Sequence, residues 1–428
     1  MKEIFLMYLW ENKLLKHGLV TMDGRQIEVL FPGTKNSHSG PDFLNGRIRI
    51  GDEIWAGHIE MHVNASDWYN HRHNSDKAYD NVILHVVYQA DKATYTTLGY
   101  PIPVVALQGF FDETLLLRYR KFVDSQNWIA CEKSAGNVQR FTWLSWLDRM
   151  IVERLEMKVE EIILMVDESG NDWEEVFYRR LMASFGFKVN ESPFQRLSQL
   201  LPFQLLLRHA DQKLQLEALL YGVAGMLDEK FEDDYPSQLK KEFEFLQKKY
   251  QLRKLNASQW RFMRMRPSNF PTLRIAQMAD LIAREGRVFS RILAAETVGE
   301  IKNLMNLVAS VYWDDHFQFD KKSKGKPKKL GDDGINLLLI NAITQVLFAY
   351  GHFHSLENVK EKALMLLESL PSENNNIVRK FEEIGIKSTQ ALQSQALLHL
   401  KKHYCNARRC LECRIGQLLV RTGEDFVR

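Results

Sequence analysis

The chain has 428 residues, of which 45% are hydrophobic and 26% charged, and its formal net charge is +3. This composition is typical of a globular protein with two or three domains, and so small a charge indicates neither a nucleic-acid partner nor its absence. Glu3 and Glu11 interrupt the apolar N-terminal stretch, so we expect no signal peptide. Because no apolar run approaches the length of a membrane span, we predict a cytoplasmic protein without a membrane partner.

The first 125 residues contain β-compatible runs separated by Gly, Pro, Asn and Asp. The runs at 43–50 and 54–63 flank Gly51-Asp52-Glu53, and turn residues between two such runs predict a β-hairpin. Ser66 is a favoured helix N-cap residue. In chain order the predicted elements are a helix at 2–16, strands at 27–31, 43–50 and 54–63, a helix near 66–74 and a strand at 82–89.

From about residue 138 apolar residues recur at three- and four-residue spacing, which is typical of helices. Such segments lie at 142–165, 172–186, 194–207, 213–228, 237–250, 272–284, 296–312 and 335–350. We therefore predict an α/β domain at 1–130, a larger all-α domain at 138–400, and a cysteine-bearing tail at 401–428 that packs back on the domain junction. Residues 320–334 hold six lysines and three glycines. They predict a mobile loop, either a basic arm for nucleic acid or a solvated linker.

Two acidic residues occupy informative positions in the predicted hairpin. Asp42 lies at the start of one strand, and Glu60 lies inside the next, with a histidine two residues away on each side. Since side chains alternate along a strand, Glu60 and these histidines share a face. A carboxylate in a hydrophobic strand is costly to bury without a partner. The pattern predicts either a divalent cation shared by Asp42 and Glu60, or a structural role in which Asp42 caps a turn and Glu60 pairs with Arg47 or Arg49.

The succession Pro41-Asp42 and then Glu60-Met61-His62 resembles the PD-(D/E)XK, or restriction-endonuclease-like, nuclease superfamily. The resemblance implies a mixed sheet with an αβββαβ core, a nucleic-acid partner, and metal-dependent hydrolysis of phosphodiester bonds in DNA or RNA. Asp42, Glu60 and the carbonyl of Met61 would then hold Mg²⁺ or Mn²⁺. His62 stands where the superfamily has lysine, and its imidazole would orient or deprotonate the attacking water. Most of the chain also resembles a bacterial family of unknown function.

Seven of the thirteen histidines lie within the first 85 residues. His71 and His73 follow Asp67 in the predicted short helix. We expect these histidines to contact substrate beside the carboxylates or, together with Asp67, to hold Zn²⁺ in a different kind of hydrolase. His38, in the loop before the Pro-Asp pair, is a further candidate substrate contact. His85 lies in an apolar strand and is predicted to be a hydrogen-bonded core residue.

Only four cysteines are present, and three of them, Cys405, Cys410 and Cys413, form a C-x4-C-x2-C cluster. Disulfides are rare in cytosolic proteins, so the cluster predicts a metal site, with Cys131 as the fourth ligand. Four thiolates suit either Zn²⁺ or a 4Fe–4S cluster, and some PD-(D/E)XK nucleases carry an iron–sulfur clasp that this arrangement resembles. His403 is an alternative fourth ligand, and buried thiols without metal are the remaining alternative.

Residues 260–274 place four arginines among aromatic residues around a Pro-bounded turn. The arginines are Arg261, Arg264, Arg266 and Arg274. Such a pattern suits phosphate contact and base stacking, so we predict substrate binding here. The alternative is a network of salt bridges over buried aromatic rings.

Three functions follow from these patterns. The first is a metal-dependent nuclease with the helical domain as its substrate platform. The second is a catalytically inactive nuclease-like protein that binds nucleic acid or a protein partner. The third is a Zn²⁺-dependent hydrolase built on residues 67–73. The sequence contains no Walker-type phosphate loop and no specific Ser/His/Asp arrangement, which argues against ATP-driven work and acyl transfer.

Overall fold

The computed structural model describes residues 2–423, and the chain separates into two compact units. Unit 1 comprises Met1–Trp146 with Leu400–Arg428, and unit 2 comprises Leu147–His399. Unit 1 contains the mixed sheet and unit 2 is built mainly from helices. The α/β N-terminal region and the larger helical region predicted from the change in sequence pattern are both present.

The centre of unit 1 is a six-stranded mixed sheet. Its strands are β1 Ile27–Phe31, β2 Thr34–Lys35, β3 Phe43–Ile50, β4 Glu53–Asn64 and β5 Val82–Gln89, followed after the short hairpin of β6 Thr94–Tyr95 and β7 Pro101–Ile102 by β8 Val104–Ala106. The order is β1-β3-β4-β5-β8, with β2 paired to β3. β3 and β4 run antiparallel, whereas β4, β5 and β8 run parallel. The predicted hairpin is therefore present, and its second strand lies at the middle of the sheet.

Helix α1, Glu3–Glu11, packs on β4 and buries Phe5 and Leu9. It ends earlier than the predicted residue 16, since Lys13 adopts a left-handed conformation with φ +52° that a helix cannot continue through. The remaining helices of unit 1 are α2 Asp67–Asn70, α3 Glu113–Val123, α4 Glu132–Ala135, the start of α5 Arg140–Glu168, a π-helical segment Leu400–Cys405 and a last helix Arg414–Thr422.

The helix in the connection between β4 and β5 is shorter than predicted. α2 is a single turn, and Arg72 with φ +62° ends it before two 3₁₀ turns, His73–Ser75 and Lys77–Tyr79. Ser66 makes no side-chain cap hydrogen bond to this helix. Ser66 occupies the predicted N-cap position without this hydrogen bond, and the histidines of this segment lie on turns.

Unit 2 consists of the rest of α5 and thirteen further helices within residues 147–399. They are α6 Trp173–Phe185, α7 Glu191–Leu200, α8 Phe203–Leu207, α9 Lys213–Val223, α10 Asp234–Tyr250, α11 Pro271–Glu285, α12 Val288–Ala294, α13 Val298–Leu304, α14 Asp332–Leu338, α15 Thr344–Phe353, α16 Glu357–Ser369, α17 Asn376–Glu383 and α18 Ala391–His399, with a π-helical turn Leu339–Ile343 between α14 and α15. The predicted helix at 194–207 is divided at Pro202, which has no N–H to donate. The one predicted at 296–312 ends at Leu304.

The lysine-rich segment 320–334 does not form the unpacked loop that its composition predicts. Its strand Lys321–Lys322 pairs with His316–Gln318, and Lys329 bridges to Val308. Lys328 and Leu330 are buried. The aliphatic stem of a lysine can cover apolar surface, so the prediction of a segment unable to pack is wrong.

One helical stretch, Asp332–Phe353, is long and apolar enough to cross a bilayer, by length and composition only. In its most apolar window 72% of the residues are buried within the protein, as in the core helix of a helical domain.

Candidate metal centre

The two motif carboxylates meet where β3 begins beside β4. The Asp42 N–H donates to Glu60 Oε2 at 3.1 Å, and the Met61 N–H donates to Asp42 Oδ2 at 3.0 Å. Gly40 has φ +102°, a backbone conformation that glycine adopts readily, and it turns the chain into the Pro41-Asp42 step. The sequence motif therefore brings both acidic side chains to one point of the sheet.

The structural alternative for these carboxylates does not hold. Arg49 forms its ion pair with Glu28, and within residues 2–423 no arginine lies within ion-pair distance of Glu60. Asp42 accepts from the backbone of the neighbouring strand, so it does not cap a local turn. The pair thus lacks the cationic side chain that would compensate its charge.

Burial and mutual repulsion make these two groups difficult to ionise. Glu60 is 5% exposed. Burial raises the pKa of both Asp42 and Glu60 to about 8, and the charge of Glu60 adds to the shift of Asp42. The charge of Glu3, in the first turn of α1, contributes to both shifts. The sequence does not indicate that Glu3 lies near Asp42 and Glu60, because this proximity depends on how α1 packs on β4.

Four histidines extend from the carboxylates toward solvent. His62 Nδ1 lies 2.8 Å from His85 Nε2, and His62 Nε2 lies 3.0 Å from His71 Nδ1. One ring nitrogen from each of His62, His71 and His73 lies within 4.8 Å of the other two. His73 Nε2 is also 3.3 Å from Glu60 Oε1. His62 and His85 are fully buried whereas His71 is exposed, so the cluster opens to solvent at His71.

Burial favours the neutral form of His62, His73 and His85. It lowers the pKa of His62 to about 3, lowers that of His73, and takes that of His85 well below its ordinary value. His62 is therefore a weak base near neutral pH, which argues against the predicted role of deprotonating water. His85 matches the expectation of a hydrogen-bonded core histidine. Tyr79, which the sequence did not single out, stacks on His73 with ring centroids 3.7 Å apart.

Other residues predicted near the site have different surroundings. Asp67 Oδ2 accepts the Asn64 N–H and Asp67 Oδ1 accepts the Asn70 side-chain amide, so this carboxylate shapes the turn that carries the histidines. His38 is exposed, and its backbone N–H donates to Asn36 in the loop before β3. Among the hydrogen bonds and ion pairs of residues 2–423, none joins the His38 side chain to the carboxylates.

The four cysteines lie near one another in unit 1. Burial raises the pKa of every thiol, to about 11 for Cys410 and about 12 for Cys413, and further for Cys131 and Cys405. The other three thiols contribute to the shift of Cys131, which shows that residue 131 lies beside the C-terminal trio. All four are free thiols in the structure.

Hydrogen-bond donors surround Cys413. The N–H groups of Ile415 and Gly416 partly offset the rise in the pKa of the Cys413 thiol that burial causes, which favours a thiolate. A Cβ at Gly416 would lie 2.1 Å from the carbonyl oxygen of Cys410, so only glycine allows the chain to fold this tightly around the sulfur. The alternative ligand His403 lies in the π-helical segment Leu400–Cys405.

The predicted substrate-binding arginines lie in unit 2, where three are exposed: Arg261, Arg264 and Arg266. Arg274 is 3% exposed and donates to Gln277 Oε1 at 2.6 Å and Asn269 Oδ1 at 2.7 Å, so it is held inside the unit. None of the four forms an ion pair with the described residues, contrary to the alternative of a salt-bridge network. Trp260 is buried and donates to Ala224, which removes it as a stacking surface for bases.

Comparison with known proteins gives one match. The profile of a family described as "Protein of unknown function (DUF2851)" matches residues 3–376. No curated protein and no solved structure matches the chain.

Proposed function

This chain belongs to the DUF2851 family, and we propose that it is a metal-dependent nuclease of the PD-(D/E)XK type that hydrolyses phosphodiester bonds in DNA or RNA. The observation that carries the proposal is the pair of reciprocal hydrogen bonds by which Asp42 and Glu60 meet on neighbouring strands. Two carboxylates converging without a cationic partner are a site for a divalent ion.

The strand arrangement supports the same proposal. Helix α1 is followed by three antiparallel strands, a short crossover and the parallel strand β5, which is the αβββαβ succession that the superfamily uses. Asp42 precedes β3 and Glu60 lies within β4, as the Pro-Asp and Glu-x-Lys elements of that pattern do.

The residues present fit Mg²⁺ or Mn²⁺. Asp42, Glu60 and the carbonyl of Met61 are oxygen donors of the kind that hard cations prefer, and Glu3 adds a further negative charge. A bound cation would stabilise negative charge developing on the phosphate and make a coordinated water more acidic. Ionisation of both carboxylates, which burial and repulsion oppose, becomes favourable beside such a charge.

In this proposal the histidines hold one another in position and do not deprotonate the attacking water. His62 is neutral and has both nitrogens beside other imidazoles, so it fixes the positions of its neighbours. His71 is the imidazole that solvent and substrate can reach. The ammonium group of the superfamily's lysine has no equivalent at residue 62, and its role of binding the phosphate falls to other cationic groups.

Nucleic acid is the partner that we propose, and unit 2 supplies exposed arginines for it. Arg261, Arg264 and Arg266 lie in one exposed segment and have no ion-pair partner among the described residues. Replacing all three by Gln should weaken nucleic-acid binding and flatten its salt dependence, by roughly one unit of slope for each phosphate that an arginine had neutralised. A control with the same change of charge replaces the exposed lysines Lys230, Lys248 and Lys387 of unit 2. Equal weakening in both variants would contradict a role for the arginine segment.

We further propose that Cys131, Cys405, Cys410 and Cys413 hold Zn²⁺ or a 4Fe–4S cluster. Support comes from their mutual proximity and from the N–H donors around Cys413. A donor shell of this kind is what orients and stabilises metal-bound thiolates. Four protein ligands complete the tetrahedral shell, which is typical of a structural metal site.

The test of the nuclease proposal is cleavage of labelled single- and double-stranded DNA and RNA with Mg²⁺ or Mn²⁺ by the wild type and by Glu60→Gln. Glutamine keeps an acceptor for the Asp42 N–H but removes the charge, so we expect activity to fall at least about 100-fold. The control is His17→Ala, an exposed histidine of unit 1 outside the cluster. Equal activity in the wild type and Glu60→Gln would contradict the assignment of Glu60.

The neutral state of His62 favours one alternative, a catalytically inactive nuclease-like protein that binds nucleic acid. Binding without cleavage by the wild type, with either ion, would establish this alternative. Asp67 does not support the Zn²⁺-hydrolase alternative as a zinc ligand, because both of its oxygens accept hydrogen bonds within its own turn.

A further inference from the structure

We propose that His62, His71, His73 and Glu60 form a binding site for one Zn²⁺ ion, distinct in its donor set from the carboxylate site for Mg²⁺ or Mn²⁺. The two sites share Glu60, but zinc binding by the imidazoles does not require that the protein hydrolyse a phosphodiester. The argument rests on the spacing of the donor atoms, on one buried nitrogen without a hydrogen bond, and on the groups that hold the rings.

The donor atoms lie at the spacing that a single ion requires. Zn²⁺ is bound by nitrogen and oxygen at about 2.0–2.2 Å in tetrahedral sites, which places neighbouring donors about 3.4 Å apart. His62 Nε2 and His71 Nδ1 are 3.0 Å apart, and Glu60 Oε1 is 3.3 Å from His73 Nε2 and 3.7 Å from His62 Nε2. These three separations surround the tetrahedral value, and the three imidazole nitrogens lie within 4.8 Å of one another, so ring movements of up to about 1 Å bring all four donors to one ion.

Among the ring nitrogens of the proposed ligands, one buried atom lacks a hydrogen-bond partner in the described residues. His73 Nε2 is buried and makes no hydrogen bond in the described part of the chain, although Glu60 Oε1 lies 3.3 Å away. The residue is 8% exposed, so water has little access to this atom. A buried polar atom without a partner is costly, and an ion between His73 and Glu60 would satisfy both.

The rings of His62 and His73 are held in place by neighbouring side chains, as metal ligands must be. The contact between His62 Nδ1 and His85 Nε2 at 2.8 Å allows Nδ1 to carry the proton, which leaves the lone pair of His62 Nε2 directed at the cluster. Stacking of Tyr79 fixes His73. Burial keeps His62 and His73 uncharged, and only the neutral imidazole binds a metal.

The donor set indicates which ion binds. Three imidazole nitrogens and one carboxylate oxygen suit Zn²⁺, whereas Mg²⁺ prefers oxygen ligands and retains water. His71 is exposed, and it gives the ion a path from solvent to the buried donors.

The test uses full-length protein freed of metal with a chelator and titrated with Zn²⁺ or with Co²⁺ as a spectroscopic probe. Co²⁺ in the histidine cluster gives visible d–d absorption without the intense thiolate charge-transfer band that cysteine ligands produce, so the two metal sites are read separately. We expect His71→Ala, and the double variant with His73→Ala, to lower Zn²⁺ affinity at least about tenfold and to remove only the thiolate-free absorption. His17→Ala is the control.

The outcome that overturns the proposal is unchanged Zn²⁺ affinity and Co²⁺ absorption in His71→Ala. This variant replaces an exposed residue, and its circular dichroism and melting temperature without metal establish that it folds. The nuclease proposal fails separately. If zinc binding depends on His71 but the wild type cleaves no nucleic acid, only the nuclease proposal is contradicted. If cleavage depends on Glu60 but zinc affinity does not depend on the histidines, only the zinc-site proposal is contradicted.

Discussion

The histidine–carboxylate cluster and the cysteine cluster lie in the same unit but differ in their access to solvent. The first runs from buried Glu60 and His62 to exposed His71. In the second, Cys413 is buried beside the backbone N–H groups of residues 415 and 416 and the tight turn at Gly416, whereas the other three cysteines are half-buried. A metal site that performs chemistry must admit substrate, whereas a structural site needs only to be closed. The comparison shows that the first cluster presents an exposed imidazole to solvent, whereas the second presents only half-buried thiols.

The two clusters also differ in what their side chains do without a metal. The carboxylates and imidazoles have protein partners, namely the backbone of β4 and one another. The thiols have pKa values raised by burial and by one another, so metal-free protein keeps them protonated. The first cluster should therefore survive metal removal with its shape intact, and the second should lose most of its stabilisation.

The largest expected effect is that of Cys413→Ser. We expect this variant to lose its Zn or Fe and to fall in melting temperature, because a structural metal contributes on the order of 5 kcal/mol or more to a domain whose whole stability is about 5–15 kcal/mol. Metal content and thermal unfolding of the full chain are the measurements. In excess chelator the variant and the wild type should unfold at nearly the same temperature if the effect acts through the metal. Retention of metal by Cys413→Ser would contradict the four-cysteine site.

A smaller effect is expected from pH on the protein freed of divalent ions. Asp42 and Glu60 have pKa values near 3.8 and 4.5 when unfolded and about 8 when folded. The folded state therefore holds protons that the unfolded state has released, so the stability that this pair contributes is greatest below about pH 4 and is lost as the pH rises toward about 8. The lowered pKa values of the buried histidines act in the opposite direction below about pH 6.5, so we expect the melting temperature in chelator to fall between about pH 6.5 and about pH 8. A rise or no change would contradict the charge repulsion between the two carboxylates.

Two variants sharpen the pH measurement. Asp42→Asn removes one charge of the pair, so the fall in melting temperature with rising pH should become shallower. Asp52→Asn changes an exposed carboxyl at the β3–β4 turn and should keep the wild-type profile. Addition of Mn²⁺ should abolish the fall in the wild type, because a bound cation favours the ionised carboxylates.

The elements that sequence predicts best are those whose local pattern agrees with their packing. The strand predicted at 82–89 is observed as Val82–Gln89, and the run at 43–50 as Phe43–Ile50. The predictions fail where tertiary contacts decide the structure. The lysine-rich segment buries Lys328 by covering apolar surface, and the connection after β4 folds as turns because Arg72 leaves the helical conformation.

The candidate site likewise contains residues that the sequence indicates and residues that only tertiary packing brings there. Asp42, Glu60 and His62 follow from alternation along two strands, since hairpin geometry alone brings them close. Glu3 and Tyr79 reach the cluster from a helix and a 3₁₀ turn, and no spacing in the sequence indicates their approach. Arg274 fits a phosphate-binding pattern by sequence, yet its hydrogen bonds to the side chains of residues 269 and 277 withdraw it from the surface. Residue type indicates what a side chain can do, and packing decides whether a ligand reaches it.

The smallest expected effect separates two adjacent residues at the start of the turn that carries the histidines. Asp67→Ala removes the acceptor of the Asn64 N–H and the Asn70 amide and should cost about 1 kcal/mol, with Zn²⁺ affinity roughly tenfold weaker because His71 and His73 lose their support. Ser66→Ala should change stability by less than about 0.5 kcal/mol and leave zinc affinity unchanged, since Ser66 makes no cap hydrogen bond to α2. Denaturant unfolding and the Co²⁺ titration measure both quantities. Equal effects of the two substitutions would mean that this turn does not hold the histidine–carboxylate cluster in shape. The positions of the histidines would then be set by β4 and β5 alone.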